Sequence, residues 1–244
     1  TWQRGLSYAV LKTWPGLLLI TLVSTARSEG DFRSVFREAT RAHNAGRYDE
    51  AAGLYAAALR QTGSSAVGRG TVLTNLGALY SDWGRYREAE EILLEACPLL
   101  ADSPAAVADL ATCHHNLGSV YCDQGKYDSA EASYLKAVSL VDPTSPEGLL
   151  SIAATRHSLG VLYRAMGKSN EAEAALVSAL HIRERLQGPR HADVAAVLKD
   201  IAEVRIAAGQ FAAAEPLLWR ALRIYEVSPP RPSRTAAVWS ALAS

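Results

Sequence analysis

One phrase returns every 41 or 42 residues along this 244-residue chain, and it leaves few folds open. The clearest copy reads Leu76-Gly77, Tyr80, Gly84, Tyr86, Ala89-Glu90, Leu93 and Ala96. The next is Leu117-Gly118, Tyr121, Gly125, Tyr127, Ala130-Glu131, Tyr134 and Ala137, and a third is Leu159-Gly160, Tyr163, Gly167, Ala172-Glu173, Leu176 and Ala179. A worn fourth copy keeps register as Ile201-Ala202, Gly209, Phe211, Ala214-Glu215, Leu218 and Ala221. Upstream, Ala39, Gly46, Tyr48, Ala51, Tyr55 and Ala58 hold the same internal spacing with a weaker first half. Self-similarity at a fixed period implies a solenoid, whose function is sought along a stacked surface and not in one catalytic pocket.

Apolar residues at three- and four-residue spacing, such as Leu73, Leu76, Leu79 and Tyr80, then Ala89, Leu93 and Ala96, make each unit two antiparallel helices. The small residue of each Leu-Gly or Ile-Ala pair lets the second helix approach the first. The glycine at 46, 84, 125, 167 or 209 ends the first helix in a left-handed conformation. The aromatic residue two positions later opens the second helix. Pro216 falls early in a second helix, so a slight bend or a late start is expected there, not a break.

These residues resemble the tetratricopeptide repeat over roughly residues 31 to 226. The long period is similar to that of the subclass found in kinesin light chains and many bacterial proteins. Gly188-Pro189-Arg190-His191-Ala192-Asp193-Val194-Ala195, followed by Leu198 and Ile201-Ala202, resembles the inter-repeat phrase of that subclass. Ala214-Glu215-Pro216-Leu217-Leu218-Trp219-Arg220-Ala221-Leu222 resembles its second-helix phrase. The resemblance implies an all-α, right-handed superhelical solenoid of stacked helix-turn-helix repeats. The five repeats fall at about 31–61, 66–99, 104–141, 146–187 and 191–226.

Both ends differ from the middle. Pro230 to Val238 aligns with Pro189 to Val197, so residues 232–244 read as a partial sixth repeat or capping helix, with Val238 and Trp239 suited to covering the last unit. Residues 1–28 hold no acid, place Arg4 and Lys12 ahead of an apolar run to Val23, and end in Ala26-Arg27-Ser28. That order resembles a secretory signal and predicts export to a periplasmic or secreted location; without it the chain would be cytoplasmic. A membrane partner is expected only if this segment stays as an uncleaved anchor.

Formal charge is zero, and removing residues 1–28 leaves 22 basic against 25 acidic residues. No basic stripe points to nucleic acid. Cys97, Cys113 and Cys122 show no C-x-x-C spacing and read as small packing residues; pairing Cys97 with Cys113 would need matched heights on neighbouring helices.

In tetratricopeptide arrays the first helices line a concave groove. The resemblance therefore assigns peptide-binding positions to Asn75, Ser81, His115, Asn116, Ser119, His157, Arg164 and Lys199. Asn75 and Asn116 precede Leu-Gly pairs, and an amide there pairs with a peptide backbone whatever its sequence. Ser158 and Asp200 replace that asparagine in later copies and interrupt the ladder. His115, His157, Arg164 and Lys199 favour an acidic or carboxylate ligand, whereas Asp82, Asp123, Asp200 and Glu203 on the same surface favour a mixed, solvated groove. Equivalent histidines in successive units stand too far apart to share a metal.

No G-x-S-x-G, H-E-x-x-H or phosphate-binding glycine run is present, and His191-x-Asp193 reads as a helix start and not a dyad. The expectation is a non-catalytic scaffold for a protein or peptide partner, with no cofactor and no small-molecule substrate. A self-association module of an envelope or signalling complex, or a sensor fragment of a larger protein, stands as the alternative.

Overall fold

The three- and four-residue apolar spacing closes into helices throughout residues 32–227, which the computed structural model describes together with Val238, Ser240 and Ala241. The leader reading of residues 1–28, and the sixth copy apart from those three positions, lie outside the described residues. Helix α1 spans residues 32–44. It is followed by α2 (Tyr48–Gln61), α3 (Ala66–Asp82), α4 (Tyr86–Ala101), α5 (Val107–Asp123), α6 (Tyr127–Leu140), α7 (Pro146–Ala165), α8 (Ser169–Gln187), α9 (Ala192–Ala207) and α10 (Phe211–Val227). A short 3₁₀ turn, Pro104–Ala106, leads into α5. Among the described residues there is no strand.

Local signals set the boundaries. Gly125 takes φ 72°, a conformation that costs a Cβ-bearing residue energy, and lets Lys126 N–H reach back to Tyr121 C=O at 2.8 Å. That six-to-one bond closes a Schellman motif on α5, and the same bond recurs from Arg47, Arg85, Lys168 and Gln210. Ser65 and Ser145 cap α3 and α7 by accepting the N–H of Gly68 and Gly148 at 3.0 Å. His191 caps α9, its Nδ1 accepting the Asp193 N–H at 3.2 Å, so His191 and Asp193 serve a helix start.

Hairpins pair as α3/α4, α5/α6, α7/α8 and α9/α10, and each second helix also packs on the first helix of the next unit. The odd-numbered helices follow one another along one side, giving an all-α solenoid. Close approach within a hairpin depends on the Leu-Gly pair: a Cβ on Gly118 would lie 2.6 Å from Tyr134 Cδ1. The core joins neighbours as much as it fills units. Ala89, Leu93 and Ala96 of α4 share one buried cluster with Leu110, Cys113 and Leu117 of α5. Ala172, Leu176 and Ala179 of α8 do the same with Val197, Ile201 and Val204 of α9. At the end of the array Val238 is fully buried against Ala195 and Leu222, with Ala241 packed beside it.

One expectation needs correction. The reading of all three cysteines as packing residues fails for two of them: Cys97 and Cys113 form a disulfide, their Cα atoms 5.8 Å apart, while Cys122 is free. The physical reason lies in the repeat itself. Cys97 is equivalent to Leu59 and Leu180, and Cys113 to Val72 and Val197, pairs that share clusters across the junction between units. The heights on neighbouring helices are therefore matched by the stacking. At Pro216 the helix is not broken, as expected, and of the two alternatives offered there the late start is excluded, because α10 begins at Phe211. Pro98 sits inside α4 in the same manner. Both prolines are exposed, as are Leu94 and Ala212 one turn before them, so each carbonyl left without an N–H partner lies on the hydrated face.

Candidate functional site: the concave groove

The groove face of the odd helices is tied together by side chains one period apart. His43 Nε2 meets Asp82 at 2.8 Å, linking α1 to α3. Thr71 donates to Asp109 at 2.6 Å, and Asn116 Nδ2 donates across a long 3.5 Å to Thr74 C=O, linking α3 to α5. His115 Nδ1 meets Thr155 Oγ1 at 3.1 Å between α5 and α7. His157 Nε2 meets Asp200 at 2.5 Å, and Arg164 pairs with Glu203 at 3.2 Å, between α7 and α9. These rungs fix the spacing of successive first helices.

The eight groove residues assigned from sequence thus divide by what they touch. Asn75 donates to Thr71 C=O in its own helix at 2.9 Å, and Asn116 reaches the preceding repeat. The carbonyl oxygens of both amides accept no bond from the described residues, so an acceptor remains at each. Lys199 is held by Asp200 at 2.6 Å and Glu203 at 2.7 Å. His157, Arg164 and His115 are rungs. Ser119 donates to His115 C=O at 3.3 Å and contacts the Tyr134 hydroxyl at 3.1 Å. Ser81 lies half-buried near the end of α3. Thr74 and Asp200, also on these helices, are buried and do not face the groove as open positions.

The electrostatics follow from this packing. Burial holds His115 below the ordinary histidine value, which keeps the ring neutral. Burial pushes Asp200 up, but hydrogen bonds and charge from His157 and Lys199 outweigh it and hold the carboxyl below the usual range. Burial likewise pulls Lys199 down, and Asp200 and Glu203 reverse the sign. Asp123, though largely exposed, goes the other way, raised first by the partial burial of its carboxyl and then by the like charge of Asp82.

Between α5 and α7 a recess of about 210 Å³ opens, walled by Ser119, Cys122, Asp123, Tyr134, His157, Ser158 and Val161. Tyr134 comes from a second helix, α6, and burial raises its phenol to about 12, so its hydroxyl stays protonated. The sequence reading omitted Tyr134 because it is the bulky residue that faces Gly118, a packing role from which a groove contact does not follow. Among the described residues no group of His, Cys, Asp or Glu is arranged to hold a metal ion.

A second ladder, also unforeseen, runs along the turn edge. The glutamate of three of the four Ala-Glu pairs meets a basic residue of the next unit: Glu90 with Lys126 at 2.8 Å, Glu131 with Lys168 at 3.6 Å, and Glu173 with Arg205 at 2.7 Å. Tyr163 donates to Glu131 at 2.8 Å, and the cations of Arg85, Lys126 and Lys168 lie over the rings of Tyr80, Tyr121 and Tyr163. The signal was in the sequence: a glutamate at fixed register and, for Lys126 and Lys168, a basic residue directly after the turn glycine, with Arg205 standing ahead of Gly209 instead.

Stacked hairpins with a side-chain-lined concave face define an all-α repeat solenoid of the interaction-scaffold architecture. The tetratricopeptide repeat model matches residues 39–102, 109–180 and 151–226, and the chain belongs to that family. Curated proteins give no match. Among solved structures it is similar to BtubC (BKLC) from P. vanneervenii, at 24% identity over 86% of this chain and 92% of that one, TM-score 0.67. A putative kinesin light chain with TPR-like repeats from Podosopora anserina is 23% identical over 80% of this chain and 94% of that one, TM-score 0.60. A Rap protein complexed with competence and sporulation factor is 12% identical over 80% of this chain and 54% of that one, TM-score 0.69. At these identities the likeness is one of fold.

Proposed function

We propose that the chain is a non-catalytic interaction scaffold that holds a peptide or a helical segment of a partner protein in the groove of α1, α3, α5, α7 and α9. The observation that carries this reading is the recess between α5 and α7, an open concavity in a wall whose spacing the rungs hold ready. The free acceptors of Asn75 and Asn116 lie on the same face and suit backbone N–H groups of an extended segment. The Rap protein of similar fold, solved with competence and sporulation factor, fits by analogy of architecture. Crosslinking mass spectrometry in the native host tests the proposal, comparing the wild type with a Ser158→Arg, Val161→Glu variant that fills the recess. Loss of the partner from a variant with unchanged far-UV circular dichroism is expected; undiminished recovery would place binding elsewhere.

A second reading, self-association through the convex face, is favoured by one pattern. Leu94, Leu135 and Trp219 directly follow the core residues Leu93, Tyr134 and Leu218, and they are 51%, 51% and 43% exposed. Large apolar side chains at repeat period on the outer helices suit a second copy of the chain. A strict monomer by light scattering at high concentration would remove this reading.

We also infer export. The signal-like order of residues 1–28 and the Cys97–Cys113 disulfide point the same way, since disulfides persist in oxidising compartments. Non-reducing peptide mapping of protein from its native host tests it. Free thiols at both positions would count against export.

A further inference from the structure

We propose that the recess between α5 and α7 receives a basic side chain, lysine or arginine, of the segment held in the groove. This rests on the groove reading above and adds the chemistry recognised there. The groove cations that would suit an acidic ligand are already matched within the fold. Arg164 is answered by Glu203, Lys199 by Asp200 and Glu203, and His157 by Asp200. His115 is packed against Tyr134 and Thr155 and kept neutral by burial. None of these four is left over to meet a carboxylate, because the fold already supplies one or removes the charge. Arg33 and Arg37 stand on α1, the far end of the groove, and do not line the recess.

Asp123 is the exception at the recess wall. It is exposed, forms no ion pair with a described residue, and the charge it meets is that of Asp82, of its own sign. Asp82 in turn is engaged by His43. His157, also in the wall, is already matched by Asp200, and the other residues suit a long cationic side chain. Val161 and the Tyr134 ring offer apolar surface to a methylene stem, and the hydroxyls of Ser119 and Ser158 are acceptors for an ammonium or guanidinium head. A cation here would relieve the Asp82–Asp123 repulsion and gain charge-assisted hydrogen bonds.

Labelled short-peptide pools, each fixed at one position as arginine, lysine, glutamate or norleucine, test the proposal by fluorescence anisotropy. The wild type should bind the arginine and lysine pools about tenfold more tightly than the norleucine pool. Asp123→Asn should erase that preference while keeping the affinity for norleucine, and Asp123→Lys should transfer it to glutamate. Should Asp123→Lys fail to fold by circular dichroism, Asp123→Asn decides alone. A wild-type preference for glutamate, or a preference unchanged by Asp123→Asn, overturns the assignment of a basic ligand. The groove reading survives that result if Ser158→Arg, Val161→Glu still abolishes pool binding. Absence of binding by every pool overturns both.

Discussion

Gly118 shows what one atom does in this fold. A methyl group there would press on the Tyr134 ring, which is buried and held by Ser119, so neither side can yield cheaply. Gly118→Ala should therefore lower stability by about 1–3 kcal/mol in urea titration, despite the higher helix propensity of alanine. His115 gives a pH prediction. Its folded pKa lies below the ordinary 6.5, so the unfolded chain takes the proton first. Its contribution is full above pH 6.5 and is lost as pH falls through that value toward the lowered one. Asp200, held below 3.8, acts in the same sense further down, and Asp123, raised above 3.8, opposes it there. Denaturation midpoints should thus decline below pH 6.5 in the wild type; His114, lowered first by burial and then by Lys136, acts in the same window, so His115→Gln should shrink that first step and His115→Gln with His114→Gln should remove it. The glycines and anchors were legible because each repeats. The rungs were not, since their partners sit about one period away and reveal themselves only when helices are laid side by side.

At the scale of the helix, Pro98 and Pro216 are tolerated because each lies on a hydrated face, yet each still removes a backbone bond. Pro216→Ala should stabilise the protein by about 1–3 kcal/mol, read from thermal or urea melts. The disulfide between α4 and α5 joins repeats 2 and 3 across a separation of 16 residues. A reductant should lower stability by about 3 kcal/mol by restoring freedom to the unfolded chain. Cys97→Leu with Cys113→Val, the residues found at equivalent positions, should recover packing but not that term. Pairing two cysteines by sequence required seeing that residue 97 and residue 113 fill a contact which other repeats make with aliphatic side chains. The equivalence of Leu59 with Val72 was the signal.

For the molecule as a whole, stability should resemble a sum of units and junctions. Breaking the His157–Asp200 rung between α7 and α9 with Asp200→Asn should raise hydrogen exchange in α9 and α10 and leave α3 and α4 protected; uniform loss of protection would show a single cooperative body instead. Five copies made the solenoid legible from sequence alone, while the sign of the groove's charge was not, because counting acids and bases says nothing of which are already matched. The junction between α4 and α5 also bears on how the array meets tension. Drawn out from its two ends, the reduced chain can release the 16-residue span between the cysteines, about 50 Å beyond the 5.8 Å that separates the joined residues. With the sulfurs joined that length is withheld, and a force trace in an optical trap should come up shorter by this amount until a reducing agent is added.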